Sequence, residues 1–245
     1  MNDRIQIRIH GPAGGETVVY LPGLHGDWTL VASFREALAD KVRFVEVTYA
    51  RTETGSVDDF AAAIEKELCA AGIRRGWLIG ESFGSQIAWA MIDRASRNSP
   101  QPEFEPAGLV LAGGFVRHPV MAMVRLGVLF FGALPMRGLA ALLFVYRRYA
   151  GFRHRHAPET LTHIDEFVAR RKEPGDLAAA VHRLRCIARY DARDVARRTE
   201  LPVFYLAGAV DPVVLFPAVR IWLRRHCPGY EGGVTIFNAD HNVLG

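Results

Sequence analysis

A serine between two glycines is the first group in this sequence that could do chemistry. It stands in the stretch Gly80-Glu81-Ser82-Phe83-Gly84, which fits the pattern G-x-S-x-G and lies between an apolar run and an apolar helical pattern. A serine that turns sharply from a strand into a helix needs small residues two positions away on either side, because larger side chains would clash. The stretch therefore predicts a tight turn that exposes the Ser82 hydroxyl. The alternative is an ordinary buried turn in which Ser82 has no role.

A serine hydroxyl is a poor nucleophile unless a base takes its proton and an acid orients that base. Among the nine histidines, His241 is distinctive because it lies in a polar loop after the last apolar run, and His25 is its competitor. Asp211 follows another apolar run and is the candidate acid. Each of these residues taken alone could be an ordinary loop residue. Together Ser82, Asp211 and His241 each follow a different predicted strand, and this order predicts a catalytic triad.

The predicted turn would also leave the Phe83 N–H at the start of a helix. There it would face the position at which the oxygen of an attacked carbonyl becomes negative. The sequence therefore predicts Phe83 as one backbone donor of an oxyanion hole.

Short apolar runs alternate with helical patterns over most of the chain. The predicted strands are residues 4–10, 17–21, 42–47, 76–79, 108–113, 202–208 and 234–237. Helices are predicted from Ser56, where Asp59 completes a capping box, and over 83–97 and 216–227. Strands that are apolar along their whole length are buried on both faces, which indicates a mainly parallel sheet covered by helices. Ligands of such sheets lie outside the carboxyl ends of the strands, where Ser82 falls.

The segment 116–200 interrupts this alternation because it contains helical patterns and no buried strand. Its most apolar part, 120–146, is broken by Arg125, Pro135 and Arg137, so it predicts two short helices and no membrane span. The segment carries fifteen Arg and one Lys against eight acidic residues, a net charge of +8 in a chain of net charge +4. We expect a helical lid inserted between two strands. Its charge could attract anionic substrates or a membrane surface, or it could be an ordinary solvated surface.

With these motifs in this order, the sequence outside the lid resembles the α/β-hydrolase superfamily. The resemblance implies an α/β fold with a mainly parallel sheet of about eight strands flanked by helices. Its core would be 1–115 and 201–245, and 116–200 would be the helical cap. The family has a second oxyanion donor after an early strand, commonly in a His-Gly stretch. Pro22-Gly23 occupies that position here, which assigns the second N–H to Leu24 and leaves the loop without an imidazole to brace it.

The resemblance and the triad together imply a serine hydrolase that cleaves carboxylic esters with a hydrophobic acyl or aryl group through an acyl-enzyme. A thioesterase, a carbon–carbon bond hydrolase or an acyltransferase would use the same triad, and a non-catalytic ligand-binding protein is the alternative of a different class. His25 and Trp28 are candidates for substrate contact. We expect no metal, no organic cofactor and no nucleic-acid partner, and a weak membrane-surface contact through the lid is a further hypothesis.

Composition and cysteine usage fit a cytoplasmic globular enzyme. Half of the 245 residues are hydrophobic and 23% are charged, which is enough apolar material for a substantial core. The amino-terminal stretch alternates polar and apolar residues and has no signal-peptide pattern. The three cysteines are far apart, which favours free thiols over disulfides or a metal site.

Overall fold

A computed structural model describes residues 4–97, 102–153, 155, 158–171 and 174–244. Residues 1–3, 98–101 and 245 of the predicted core and a few positions of the predicted cap lie outside these ranges. Within them, seven strands form one sheet. The strands are β1 (Gln6–His10), β2 (Glu16–Leu21), β3 (Val42–Thr48), β4 (Arg75–Glu81), β5 (Glu105–Ala112), β6 (Val203–Gly208) and β7 (Tyr230–Ile236).

The order of strands across the sheet is β1-β3-β2-β4-β5-β6-β7. β1 pairs with β3 in the antiparallel sense, and every other neighbouring pair is parallel. The predicted α/β class with a mainly parallel sheet is confirmed. Among the described residues the sheet has seven strands instead of about eight. These seven correspond to the seven apolar runs of the sequence, whereas an eighth was implied only by the resemblance.

From β2 onward, one or more helices connect each strand to the next. They are α1 (Ala32–Leu38), α2 (Val57–Ala70), α3 (Gly84–Arg97), α4 (Met121–Gly132), α5 (Met136–Arg153), α6 (Pro158–Arg170), α7 (Pro174–Arg189), α8 (Arg193–Arg198) and α9 (Phe216–His226). The predicted capping box opens α2, because the Ser56 hydroxyl accepts the Asp59 N–H and the Asp59 carboxylate accepts the Ser56 N–H. Helix α1 was not predicted, since seven residues are too few to show a helical period.

Side chains on both faces of the sheet are buried, as the apolar strands predict. On β2, Val19 and Leu21 belong to the larger apolar core, which also contains residues of α2, α3 and α9. Tyr20 points to the opposite face and belongs to a smaller core with Phe44 and Val243. This alternation buries the centre of the sheet on both faces. A site is therefore expected at the carboxyl edge of the sheet, where the loops after β2, β4, β6 and β7 meet.

Five helices, α4 to α8, lie between β5 and β6. The break near Pro135 separates α4 from α5, as predicted. Helix α4 packs on α7, and α5 packs on α6 and α7. The short helix α8 packs on α3 and α9, so it contacts the helices that cover the sheet. No helix among the described residues is both long enough and apolar enough to cross a membrane.

Candidate active site

The turn between β4 and α3 holds Ser82 in a strained backbone conformation. Ser82 has a φ of 48°, and it is the one non-glycine residue with positive φ among those described. Such a conformation costs about 1–3 kcal/mol and persists where neighbouring groups hold it. The Ser82 N–H donates to Ala112 O at 3.2 Å, and Ser82 O accepts the Ser85 N–H at 3.0 Å and the Ser85 hydroxyl at 2.6 Å. These three bonds fix the turn that the sequence predicts.

The two glycines of the motif are required by close backbone contacts. A Cβ on Gly80 would lie 2.7 Å from Ser85 Cα, inside the following helix. A Cβ on Gly84 would lie 2.0 Å from Leu21 O, at the end of the neighbouring strand β2. Both distances are far below van der Waals contact, so no side chain fits at either position. The steric argument drawn from the sequence holds in the structure.

The structure brings His241 and Asp211 together. Asp211 follows β6 and His241 follows β7, and the Nδ1 atom of His241 lies 2.8 Å from Asp211 Oδ2. The other carboxylate oxygen of Asp211 accepts the backbone N–H groups of Val213 at 2.7 Å and Val214 at 2.9 Å. These amide bonds orient the carboxylate toward the imidazole. They are available because Pro212 makes the chain turn directly after Asp211.

The contact between His241 and Asp211 shifts the pKa values of both groups in the direction that favours an imidazolium beside a carboxylate. Burial is the largest single effect and disfavours the imidazolium form of His241. The hydrogen bond and charge of Asp211, with the charges of Glu81 and Asp240, together outweigh it and raise the pKa of His241 above its ordinary 6.5. Burial also pushes the pKa of Asp211 upward. Its bonds to His241 and to the two amides outweigh that effect, so the pKa of Asp211 lies below its ordinary value.

Ser82 and His241 line the same cavity, of about 920 Å³, at the carboxyl edge of the sheet. The loop after β2, with Gly23 and Leu24, forms one side of it. Helices α4, α5 and α6 contribute an apolar roof: Phe131, Leu139, Leu142, Leu143, Tyr146, Tyr149 and Phe167. Ser82 and His241 are both among the described residues, and the Ser82 hydroxyl makes no hydrogen bond to His241. Hydrogen bonds between catalytic groups are often long without substrate and shorten only in the complex.

Of the two residues predicted as oxyanion donors, Leu24 lines this cavity, whereas Phe83 directly follows the lining residue Ser82 and does not line it. Phe83 stands at the start of α3, and its ring is buried edge-on against Tyr49 and Phe60. A Cβ on Gly23, directly before Leu24, would lie 3.3 Å from Ser82 Cβ, so this loop passes close to the serine. Within the described residues, neither the Phe83 nor the Leu24 N–H donates to a protein group.

Two buried arginines, one on α7 and one directly after α6, donate hydrogen bonds to the loop after β2, which lacks the His-Gly stretch. Arg183 on α7 donates from Nη1 to Leu24 O at 2.8 Å and from Nη2 to Ala50 O at 3.3 Å. Arg171, directly after α6, donates to His25 O at 3.1 Å and pairs with Asp27 at 3.1 Å. Burial lowers the pKa of Arg183 to about 10, which leaves it protonated at neutral pH.

The candidate substrate contacts differ in position. His25 lines the cavity, whereas Trp28 is not among the lining residues and lies between the guanidinium groups of Arg8 and Arg170, 3.9 and 5.1 Å from its ring. The Nε2 atom of His25 is buried without a hydrogen-bond partner and lies 3.9 Å from the Glu81 carboxylate. Burial, as the largest effect, lowers the pKa of His25, although the negative charges of Glu81 and Asp27 oppose it.

Sequence reasoning missed three residues of this site. Glu81 lies inside the motif itself, is buried in the cavity wall and accepts a short hydrogen bond from the Tyr20 hydroxyl. Its position in the motif was the one signal that could have found it. Arg171 and Arg183 carry no such signal, because arginines are frequent throughout 116–200 and only the fold shows which of them are buried.

Solved structures resemble this chain closely in fold and weakly in sequence. A hydrolase from Pseudomonas aeruginosa is 18% identical, with a TM-score of 0.74 over 97% of this chain and 87% of the other. An enol-lactonase from Burkholderia xenovorans is 17% identical, with a TM-score of 0.74 over 95% of this chain and 87% of the other. A thermophilic esterase from Thermogutta terrifontis is 20% identical, with a TM-score of 0.72 over 97% and 86%.

No protein-family model matches the chain, and no curated protein matches its sequence. The structural similarity extends over nearly the whole chain. The sheet, the helices and the serine turn of this chain are those that the sequence motifs imply. The chain therefore has the α/β-hydrolase fold.

Replacing Gly84 by alanine should destabilise the protein, because the new Cβ would collide with Leu21 O. We expect Gly84→Ala to lower the free energy of unfolding by about 1–3 kcal/mol or more. Each kcal/mol should lower Tm by about 2–4 °C in a thermal melt. Gly14→Ala is the matched control, since nothing lies within 4 Å of its Cβ position. Equal melting temperatures for the two variants would contradict the steric account.

The raised pKa of His241 should depend on Asp211. An NMR titration of the histidine ring protons should place the His241 midpoint above 6.5, and Asp211→Asn should lower it, because the neutral amide no longer stabilises the imidazolium. Asp240→Asn is the matched control, since the charge of Asp240 raises the pKa of His241 less than that of Asp211 does. An unchanged midpoint in Asp211→Asn would contradict the pairing.

Proposed function

We propose that this protein is a serine esterase that hydrolyses carboxylic esters through an acyl-enzyme intermediate. One observation carries the proposal: Ser82 on its strained turn and His241, which is paired with Asp211, line the same largely apolar cavity. The esterases and the enol-lactonase among the solved structures of this fold support ester chemistry. A fold hosts many functions, so the assignment rests on the site.

In the proposed reaction, Ser82 Oγ attacks the ester carbonyl while His241 takes the hydroxyl proton. Asp211 keeps the proton of neutral His241 on Nδ1, so that Nε2 is free to act as the base, and its charge stabilises the imidazolium that forms. The imidazolium then gives its proton to the leaving alcohol, and the C–O bond of the ester breaks. A water molecule, activated in turn by His241, adds to the acyl-enzyme and releases the acid and free Ser82.

The developing negative charge on the carbonyl oxygen would be met by the N–H groups of Phe83 and Leu24. Removing one such donor typically lowers kcat by about 10²–10³. Phe83 is held by the start of α3 and by its buried ring. Leu24 is held through its carbonyl oxygen, which accepts a hydrogen bond from Arg183. This bond fixes the orientation of the peptide group that follows Leu24. In this proposal Arg183 is a positioning residue that does what the imidazole of the His-Gly stretch does in the family.

The cavity favours a neutral ester with an apolar acyl or aryl group. Its roof is built almost entirely from leucine, phenylalanine and tyrosine side chains of α4, α5 and α6, which in this proposal act as the lid. The polar groups beside Ser82 include the carboxyl groups of Glu81 and Asp240. These negative charges would repel a carboxylate, which disfavours anionic acyl groups and helps the acid product to leave.

Ser82→Ala should abolish turnover of p-nitrophenyl esters, with kcat reduced at least about 10⁴-fold. It should also abolish covalent labelling by a fluorophosphonate, because the nucleophilic oxygen is gone. Assays across acyl chains from acetate to dodecanoate, with matched thioesters, would grade the acyl preference. Ser56→Ala is the control: it removes the cap of the distant helix α2 and should lose about 1 kcal/mol of stability while retaining activity.

Two results would oppose the esterase proposal. Absence of hydrolysis across the whole ester panel would remove its main consequence. Failure of the folded protein to react with a fluorophosphonate at Ser82 would favour the ligand-binding alternative.

Arg183→Met should lower kcat by about 10²-fold while changing KM little, because a displaced oxyanion donor affects the transition state more than substrate binding. Arg183→Lys should recover part of the loss, since an ammonium group can donate to Leu24 O but lacks the planar fork that also reaches Ala50 O. Steady-state kinetics on one ester would separate the two parameters.

Asp176→Asn is the matched control for Arg183. Asp176 pairs with Arg51 at 2.8 Å and anchors the same helix α7 to the loop after β3, which Arg183 also reaches through Ala50 O, but not to the loop that carries Leu24. The Asp176→Asn substitution should destabilise the protein without the selective fall in kcat that is expected for Arg183→Met. Equal kinetic effects of Asp176→Asn and Arg183→Met would show that Arg183 acts only through the stability of the lid.

A further inference from the structure

Two consecutive helices, α4 and α5, expose large apolar side chains that do not line the cavity. We call this surface the lid face. It consists of Met123, Leu126, Leu129 and Phe130 on α4 and Phe144, Val145 and Phe152 on α5, each at least 45% exposed. Leu129 and Phe152 are 69% and 72% exposed. Isolated exposed apolar residues are normal on a soluble protein, but this many on two consecutive helices indicate a surface that meets another apolar phase.

Helix α5 is apolar on two opposite sides. Leu139, Leu143 and Tyr146 face inward and form part of the cavity roof, while Phe144 and Val145 face outward. Packing on the cavity explains the inner side only. The outer side has no partner among the described residues, so its composition points to a partner outside this chain.

The charge around the lid face identifies the chemistry of that partner. Residues 121–153 contain five arginines and no aspartate or glutamate. Arg125, Arg137 and Arg148 are exposed, whereas Arg147 pairs with Asp165 of α6. Arginines beside an apolar surface match a phase that is apolar within and negatively charged at its boundary, and an anionic lipid bilayer has this arrangement.

A second copy of the chain fits this surface less well. A two-fold symmetric dimer would place the lid face of one copy on the same face of the other. The arginines of both copies would then lie close together with no acidic residue from either α4 or α5 to compensate them, and burying unpaired like charges is costly.

We propose that the lid face docks on anionic membranes, with α4 and α5 lying in the plane of the interface. Helices of this kind place their apolar side at the boundary between headgroups and acyl chains and keep their cationic side chains near the headgroups. Docking requires no spanning helix. It would place the outer side of the cavity roof against the bilayer, and it does not depend on which reaction Ser82 performs.

Vesicle co-sedimentation with the full chain tests the proposal. Vesicles of equal parts phosphatidylcholine and phosphatidylglycerol should bind the protein at least about tenfold more tightly than phosphatidylcholine alone. Raising the salt from about 0.1 M to about 1 M should remove most of the difference, because the Debye length falls from about 10 Å to about 3 Å. No binding to either vesicle, or equal binding to both, would overturn the proposal.

Two sets of variants separate the apolar and the charged parts. Leu129→Ser with Phe144→Ser and Val145→Ser should weaken binding more than about tenfold, since three exposed apolar anchors are lost. Arg125→Gln with Arg148→Gln should reduce mainly the preference for phosphatidylglycerol. Ile221→Ser with Val234→Ser is the matched control, because these side chains are 52% and 63% exposed on α9 and β7, away from the lid face. Unchanged thermal melts would show that the variants remain folded.

Light scattering after size exclusion tests the competing occupant. A dimer that the triple serine variant converts to a monomer, together with no vesicle binding by the unaltered chain, would assign the lid face to self-association and overturn the membrane proposal. A monomer that binds anionic vesicles through the lid face would support it. Activity on a water-soluble ester should be the same in the triple variant, so failure of docking and failure of the esterase proposal are distinguishable.

Discussion

The backbone contact between the serine turn and the end of β2 is the constraint on which the site depends. Gly84 passes so close to Leu21 O that no side chain can stand between them, and this contact joins the start of α3 to the loop that carries Leu24. The strand end, the Ser82 hydroxyl and both proposed oxyanion donors are therefore positioned together. Strain at Ser82 is held by the hydrogen bonds of the same turn, so the exposed hydroxyl follows from the packing around it.

The two histidines that line the cavity, His241 and His25, have pKa values shifted in opposite directions by their surroundings. His241 has the Asp211 carboxylate at hydrogen-bond distance, and this carboxylate, with the charges of Glu81 and Asp240, outweighs the effect of burial on the pKa of the imidazole. His25 has its nearest carboxylate at 3.9 Å and two arginines close by, so burial is the larger effect and its pKa falls. Divergent pKa values of neighbouring groups are a mark of acid–base sites, and here they distinguish His241, the proposed base, from its competitor.

The helices between β5 and β6 act on the site in two ways. Their inner side supplies the apolar roof of the cavity, and two buried arginines from α7 and the end of α6 hold the carbonyls of Leu24 and His25. Their outer side remains apolar and is flanked by arginines. Because the buried arginines join α7 and the end of α6 to the loop that carries Leu24, a change in the packing of these helices would also disturb the proposed oxyanion hole.

The sequence alone determined the strands, the serine turn and the order of the three proposed catalytic residues, because apolar period, glycine sterics and turn residues are local properties of the chain. The carboxylate of Asp211 lies within reach of His241 as that order implies. Only the tertiary structure decided which of many arginines brace the loop at Leu24, that Glu81 enters the cavity wall, and that Trp28 does not line the cavity. Arg183 and Leu24 are 159 residues apart. Contacts over such separations depend on how the elements pack, and no local pattern records which side of a helix the rest of the chain covers.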